Sequence, residues 1–157
     1  MVEHFTDNEK VEGPIPSTRT MKEGEEHFVG KVACKLAIVS PQEKFLVCRN
    51  TRDQDFWDLP GGVLNAGETL EEGLIREVRE EIGAEPAIGA VIWAGTFIKR
   101  KTGLQTVAIV FQGSLEEDIQ FSFDDGEIAE VRWIGKEDLK EIRLFPEYHK
   151  VLEDFFA

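Results

Sequence analysis

The chain has 157 residues, about the size of one domain, and 41% of them are hydrophobic, so a packed core is expected and disorder throughout is excluded. Eighteen Lys and Arg stand against 31 Asp and Glu, a formal net charge of −13 that disfavours a surface built to neutralise a nucleic-acid polymer. No apolar run reaches the ~20 residues of a membrane span, and MVEHFTDNEKVEG lacks a basic-then-apolar leader, so a soluble, cytoplasmic protein without a membrane partner is expected.

Residues 1–27 mix Glu, Lys, Pro, Ser and Thr without a sustained period and are expected to form an arm or extension, with the domain proper over 28–157. FVGKVACKLAIVS and EKFLVCRN are β-branched apolar runs separated by PQ, which predicts a hairpin. They hold the two cysteines, Cys34 and Cys48, whose setting predicts buried free thiols. After the polar stretch NTRDQD, WDLPGGVLNAGET reads as a shaped loop, broken by Pro60, Gly61, Gly62 and Gly67.

A helix over about 70–82 follows. Thr69 and Glu72 form a capping box, and Gly83 supplies the stop. At 100° per residue Leu70, Leu74, Ile75, Val78 and Ile82 share the core-facing arc. AIGAVIWAGTFIK and LQTVAIVFQGSL are predicted strands joined through RKTG, EIAEVRWI a further strand, KEDLKEI a short helix and PEYHKVLEDFF a longer one. Strands, a central helix, strands and a terminal helix predict an α/β architecture with a mixed sheet between helices.

Glu77, Glu80 and Glu81 lie beside the helix's apolar arc at spacings of three and four, so their side chains can converge. Like charges so placed repel, and a hard divalent cation relieves them; an all-oxygen donor set points to Mg²⁺, with Mn²⁺ as an alternative. A Glu-rich helix is most often a solvated face. The Pro-Gly-Gly loop in front of it, Glu68 and the cap make a more specific joint pattern. A Ca²⁺ loop of the EF-hand type fails, because DQDFWD has Trp57 where an acidic or amide ligand is needed and Asp58 where Gly is needed.

Gly62, five residues, Glu68, seven residues, then Arg76-Glu77-Val78-Arg79-Glu80-Glu81-Ile82-Gly83-Ala84 resembles the Nudix box, with WDLPGG typical of the same family just upstream. Ala84 departs from the larger aliphatic residue usual there, which touches local packing and not the metal ligands. The resemblance implies an α/β/α sandwich and hydrolysis of a nucleoside diphosphate linked to another group, aided by Mg²⁺. By position, Glu77, Glu80 and Glu81 match metal-ligand carboxylates, the Gly61 carbonyl a further ligand, and Glu68 with Arg76 a supporting pair. Relatives take the general base from the box helix or from a distant strand, which makes Glu80, Glu81 and Glu130 the candidates, with Glu127 behind Glu130.

Arg49 matches an arginine that contacts substrate in several relatives, and Arg52, Lys99, Arg100 and Lys101 are further candidates for holding phosphate, with a solvated hairpin tip the alternative for Arg100 and Lys101. Phe56 and Phe97 are candidate pocket walls, while Trp57 is expected to be structural. His4, His27 and His149 are scattered and receive no role. The expected partner is a small nucleotide, and the resemblance leaves a homodimer open. A catalytically silent Nudix-fold domain that binds a nucleotide or a protein is the alternative, although a pure binder has no need of three crowded carboxylates.

Overall fold

The structure, a computed structural model, describes residue 24 and residues 26–99, 101–123 and 126–157. Most of the expected N-terminal arm, with His4, and Arg100 lie outside the described residues. Among the described residues seven strands, β1 (Lys31–Ile38), β2 (Phe45–Asn50), β3 (Asp53–Asp58), β4 (Gly61–Val63), β5 (Ala87–Ile98), β6 (Gln105–Ser114) and β7 (Ile128–Ile134), combine with two helices, α1 (Leu70–Ile82) and α2 (Pro146–Phe155). A short 3-10 helix covers Lys136–Lys140.

The strands divide into two sheets, ordered β4-β1-β6-β5 and β3-β2-β7. The first is mixed: β1 runs parallel to β6 and antiparallel to β4, and β5 pairs antiparallel with β6. The second is antiparallel throughout. The α/β/α sandwich expected from the sequence is therefore present, with its strands in two sheets.

One local expectation fails. β1 and β2 do not form a hairpin ladder; after a turn closed by Ser40 N–H to Lys44 O at 2.8 Å they share a single bridge, Val39 to Phe45, and enter different sheets. β1 finds a longer partner in β6, paired over eight residues, and that non-local match outweighs the short turn. NTRDQD, read as a polar stretch, supplies the first half of β3, and the glycine loop contains β4.

The core has two parts. On one side Ala37, Phe45, Val47, Trp57 and Leu59 pack with Tyr148, Val151 and Leu152 of α2. On the other, Cys34, Leu36, Ile38 and Leu46 pack against Leu74, Val78 and Ile82 of α1. Cys34 and Cys48 are both buried free thiols, as expected. Ile75 is only half-buried; Gly73 takes the buried place one turn before Glu77, where a side chain would meet Leu64 and the Glu68 carboxylate.

The candidate active site on the box helix

Local chemistry sets α1 in place. Thr69 accepts from Glu72 N–H at 3.2 Å and its own N–H donates to the Glu72 carboxylate at 2.9 Å, which completes the capping box. Gly83 at φ 69° ends the helix in the left-handed region, with its N–H on Arg79 O. The helix presents Glu77 and Glu81 towards the glycine loop, with Glu80 further out beside Arg76.

The loop is shaped to meet them. Gly61 has φ 125°, and a Cβ there would run into the Cys34 carbonyl oxygen. A Cβ at Gly62 would collide with the Glu77 carboxyl group, so the missing side chain is the space that this carboxylate fills. Gly61 N–H donates to Glu81 Oε2 at 2.9 Å.

Arg76 organises the outer side of the site. Its Nε and Nη2 grip Glu68 at 2.6 and 3.0 Å, Nη2 also reaches Val63 O at 3.2 Å, and Nη1 meets Glu77 at 2.8 Å and Glu80 at 3.3 Å. The Arg76 hydrogen bonds, followed by the Asn65 N–H, hold the Glu68 carboxyl down to about 2. Loop and helix are thus joined by one guanidinium.

Glu81 is half-buried, with its carboxyl against the Gly61 N–H. Removal from water pushes its carboxyl up to about 8, against the opposing pull of Lys35 and the Gly61 N–H. Glu80 is the outermost, with its side chain 55% exposed. Among the described residues no three His, Cys, Asp or Glu side chains are gathered around one cation-sized point. Glu77 and Glu80 lean on Arg76, and Glu81 on the loop.

The donor chemistry nevertheless fits a hard divalent cation: three carboxylates at positions 77, 80 and 81 of one helix and a glycine carbonyl, with the Glu77 carboxylate seated in space a Cβ would have filled.

The three-stranded sheet carries the second group of candidates. Arg49 on β2 lies opposite Trp57 of β3 and Glu130 of β7. Its Nη2 bonds Glu130 Oε2 at 2.7 Å, and Arg132 reaches Glu130 Oε1 at 3.3 Å. The two guanidiniums stand 5.1 and 5.0 Å from the Trp57 ring centroid. Glu130 therefore stands between two cations. Trp57 is 7% exposed and belongs to the core, as expected.

The remaining substrate candidates are not brought to this group. Phe56 stacks on Phe145 at 5.0 Å with Arg143 over its ring, Phe97 packs on the core, and Arg52 sits exposed in the β2–β3 turn. Lys99 lies in the turn after β5, its N–H on Leu104 O at 3.0 Å. Glu127 is exposed, with its carbonyl accepting from Thr51 N–H at 2.9 Å.

Three residues escaped the sequence reading. Arg132 could have been found, since two residues after Glu130 on a strand means the same face. Lys35 and Asp58 were signalled only by a lone charge inside an apolar strand and an acid beside the loop.

A boxed helix clamped to a glycine loop on this two-sheet sandwich defines a Nudix domain, and the chain matches the NUDIX domain family over residues 31–155. It belongs to that family and is a Nudix hydrolase acting on phosphoric anhydride bonds. An RNA pyrophosphohydrolase of Zymomonas mobilis is 30% identical over 132 residues, spanning 72% of this chain and 85% of that protein. A putative 8-oxo-dGTP diphosphatase of Bacillus subtilis is 30% identical over 118 residues, 75% of each chain. The crystal structure of a MutT protein from Methanosarcina mazei Go1 superposes with a TM-score of 0.68 at 28% identity, covering 84% of this chain and 96% of that one. Among the described residues no helix is long and apolar enough to cross a membrane.

Proposed function

We propose that the protein is a Mg²⁺-dependent pyrophosphohydrolase that cleaves a nucleoside diphosphate linked to another group, releasing a nucleoside monophosphate and pyrophosphate or a phosphorylated remainder. The observation that carries this reading is the set of three glutamates on a capped helix, fitted against a loop whose Gly62 leaves room for Glu77. Names of relatives support it, since each describes cleavage of a pyrophosphate or diphosphate.

Glu77, Glu80, Glu81 and the Gly61 carbonyl would hold the cation. When bound, a divalent ion offsets the charge of the diphosphate and polarises its phosphoryl oxygens. A chain of net charge −13 would otherwise repel such a substrate. Arg49 and Arg132 supply the protein's own positive charge, as rigid forks suited to phosphate.

The proton of the attacking water goes to a carboxylate of the box helix. Glu80 is the best placed: it is exposed, and its contact with Arg76 is the longest in that cluster at 3.3 Å. Glu130, bonded to Arg49 and Arg132, holds the two arginines in position instead.

Replacing Glu80 or Glu81 with Gln should abolish hydrolysis measured with Mg²⁺; unchanged activity would refute the assignment. The substrate panel should contain nucleoside triphosphates, oxidised nucleotides, ADP-ribose, NADH, dinucleoside polyphosphates and nucleotide sugars, each with Mg²⁺ and Mn²⁺. A 5′-triphosphorylated RNA belongs in it because of the Zymomonas relative, and the net charge of −13 predicts weak binding beyond its terminal nucleotide.

A further inference from the structure

Beneath the glycine loop lies a charged side chain that the chemistry above does not use. Lys35 stands in the middle of β1, within a run from Ala33 to Ile38 that is otherwise apolar, and is 8% exposed. Its Nζ donates to Asp58 Oδ2 at 2.9 Å and to the Gly61 carbonyl at 3.0 Å. Asp58 closes β3 and Gly61 opens β4, so one ammonium ties the two sheets together at the loop.

The consequence falls on Gly61. Its N–H goes to Glu81 at 2.9 Å and its carbonyl to Lys35, while the preceding Pro60 carbonyl accepts from Leu36 N–H at 2.8 Å. Both polar groups of the residue are therefore held by side chains. A carbonyl oxygen has two lone pairs, and Lys35 engages one, leaving the other for a cation.

Stability alone does not explain such a pair. Apolar residues of similar volume usually serve a core as well as a buried ion pair or better, and this pair is largely buried, its side chains 10% and 26% exposed. Here the pair is also incompletely satisfied, since Asp58 Oδ1 is buried with no hydrogen-bond partner among the described residues.

We propose that Lys35, braced by Asp58, is a positioning residue of the metal centre: it fixes the direction of the Gly61 carbonyl so that this oxygen and the box glutamates can address one cation. The inference rests on the metal reading above, and deepens it by adding a support at Gly61, separate from Arg76's contacts with Val63 and Glu68.

Removing Lys35 alone would confuse two effects, because the abandoned Asp58 carboxylate would itself attract a cation. The test is therefore K35M/D58L, which deletes the brace without altering net charge. Mn²⁺ alone is titrated against the full chain, with free Mn²⁺ read by electron paramagnetic resonance, and thermal unfolding is followed in EDTA. The expected result is Mn²⁺ binding weakened about tenfold or more, the range typical of supports behind metal ligands, with an unfolding temperature in EDTA equal to or above that of the wild type.

K35R is the second variant, decisive alone if the double variant does not fold. It keeps the charge but sets its donors in a planar fork, and should also weaken Mn²⁺ binding. Wild-type Mn²⁺ affinity in folded variants, whatever their unfolding temperatures, would overturn the proposal and leave the pair a purely structural one. A wild-type protein that binds no Mn²⁺ would instead remove the metal reading, and this inference with it.

Discussion

Glu81→Gln should stabilise the metal-free protein at alkaline pH while destroying its activity. The wild-type carboxyl, ordinarily near 4.5, is pushed up to about 8 chiefly by burial, so the folded state holds its proton more tightly than the unfolded chain. Stability from this group is full below about pH 4.5 and declines as pH rises through about 8. At roughly 1.4 kcal/mol per pH unit, the interval gives an upper limit of about 5 kcal/mol for ionising Glu81 without metal. Local relaxation and water entry would reduce this to roughly 1–3 kcal/mol, or a few to about ten degrees in Tm for a domain of this size. Gln has no charge to bury and its amide oxygen still accepts from Gly61 N–H. Thermal unfolding of both proteins in EDTA from pH 5 to pH 9 gives the test: the variant should gain over the wild type as pH rises, and Mg²⁺ should close the gap by stabilising only the wild type. A gap that does not grow with pH would refute the burial argument.

Other consequences concern separate parts of the molecule. Glu130→Gln should raise KM by up to about tenfold through misplaced arginines while kcat stays within tenfold, whereas loss of a general base would remove about 10²–10⁴ from kcat; steady-state kinetics distinguish them. Arg132→Ala should raise KM for a nucleoside triphosphate with little change in kcat, and an unchanged KM would remove Arg132 from the substrate site. Thr69→Ala should cost about 1 kcal/mol by denaturant unfolding, since it removes the capping hydroxyl of α1. For Glu68, whose folded value of about 2 lies below the ordinary 4.5, stability is present above 4.5 and lost as pH falls towards 2. Arg76→Ala should therefore raise the Glu68 carboxyl towards its ordinary value, read by NMR titration, and flatten that acid limb.

What could be read in advance follows the range of the interactions involved. The helix at 70–82 and its ends depend on Thr69, Glu72 and Gly83, all neighbours in sequence, and β5 and β6 meet through a short turn. The separation of β1 from β2 was hidden because it depends on β6, whose partner residues lie 75 positions away, as in Lys31 to Thr106. β4 is three residues long, too short for any periodic signal, and its one strand neighbour among the described residues is β1. In the site, the spacing of Glu77, Glu80 and Glu81 and their box were legible. The commitment of Glu130 to Arg49 was not, because Arg49 and Glu130 are 81 residues apart. Lys35 was hidden for a related reason: a lone charge in an apolar strand shows its purpose only when its partners, Asp58 and Gly61, are in place.

The most direct test of the proposed activity is to identify the products formed from nucleoside triphosphates under Mg²⁺ and under EDTA. A metal-dependent Nudix pyrophosphohydrolase predicts nucleoside monophosphate and pyrophosphate with Mg²⁺, nothing with EDTA, and loss of both products in Glu80→Gln. Release of nucleoside diphosphate and orthophosphate, or turnover that persists in EDTA, would contradict it.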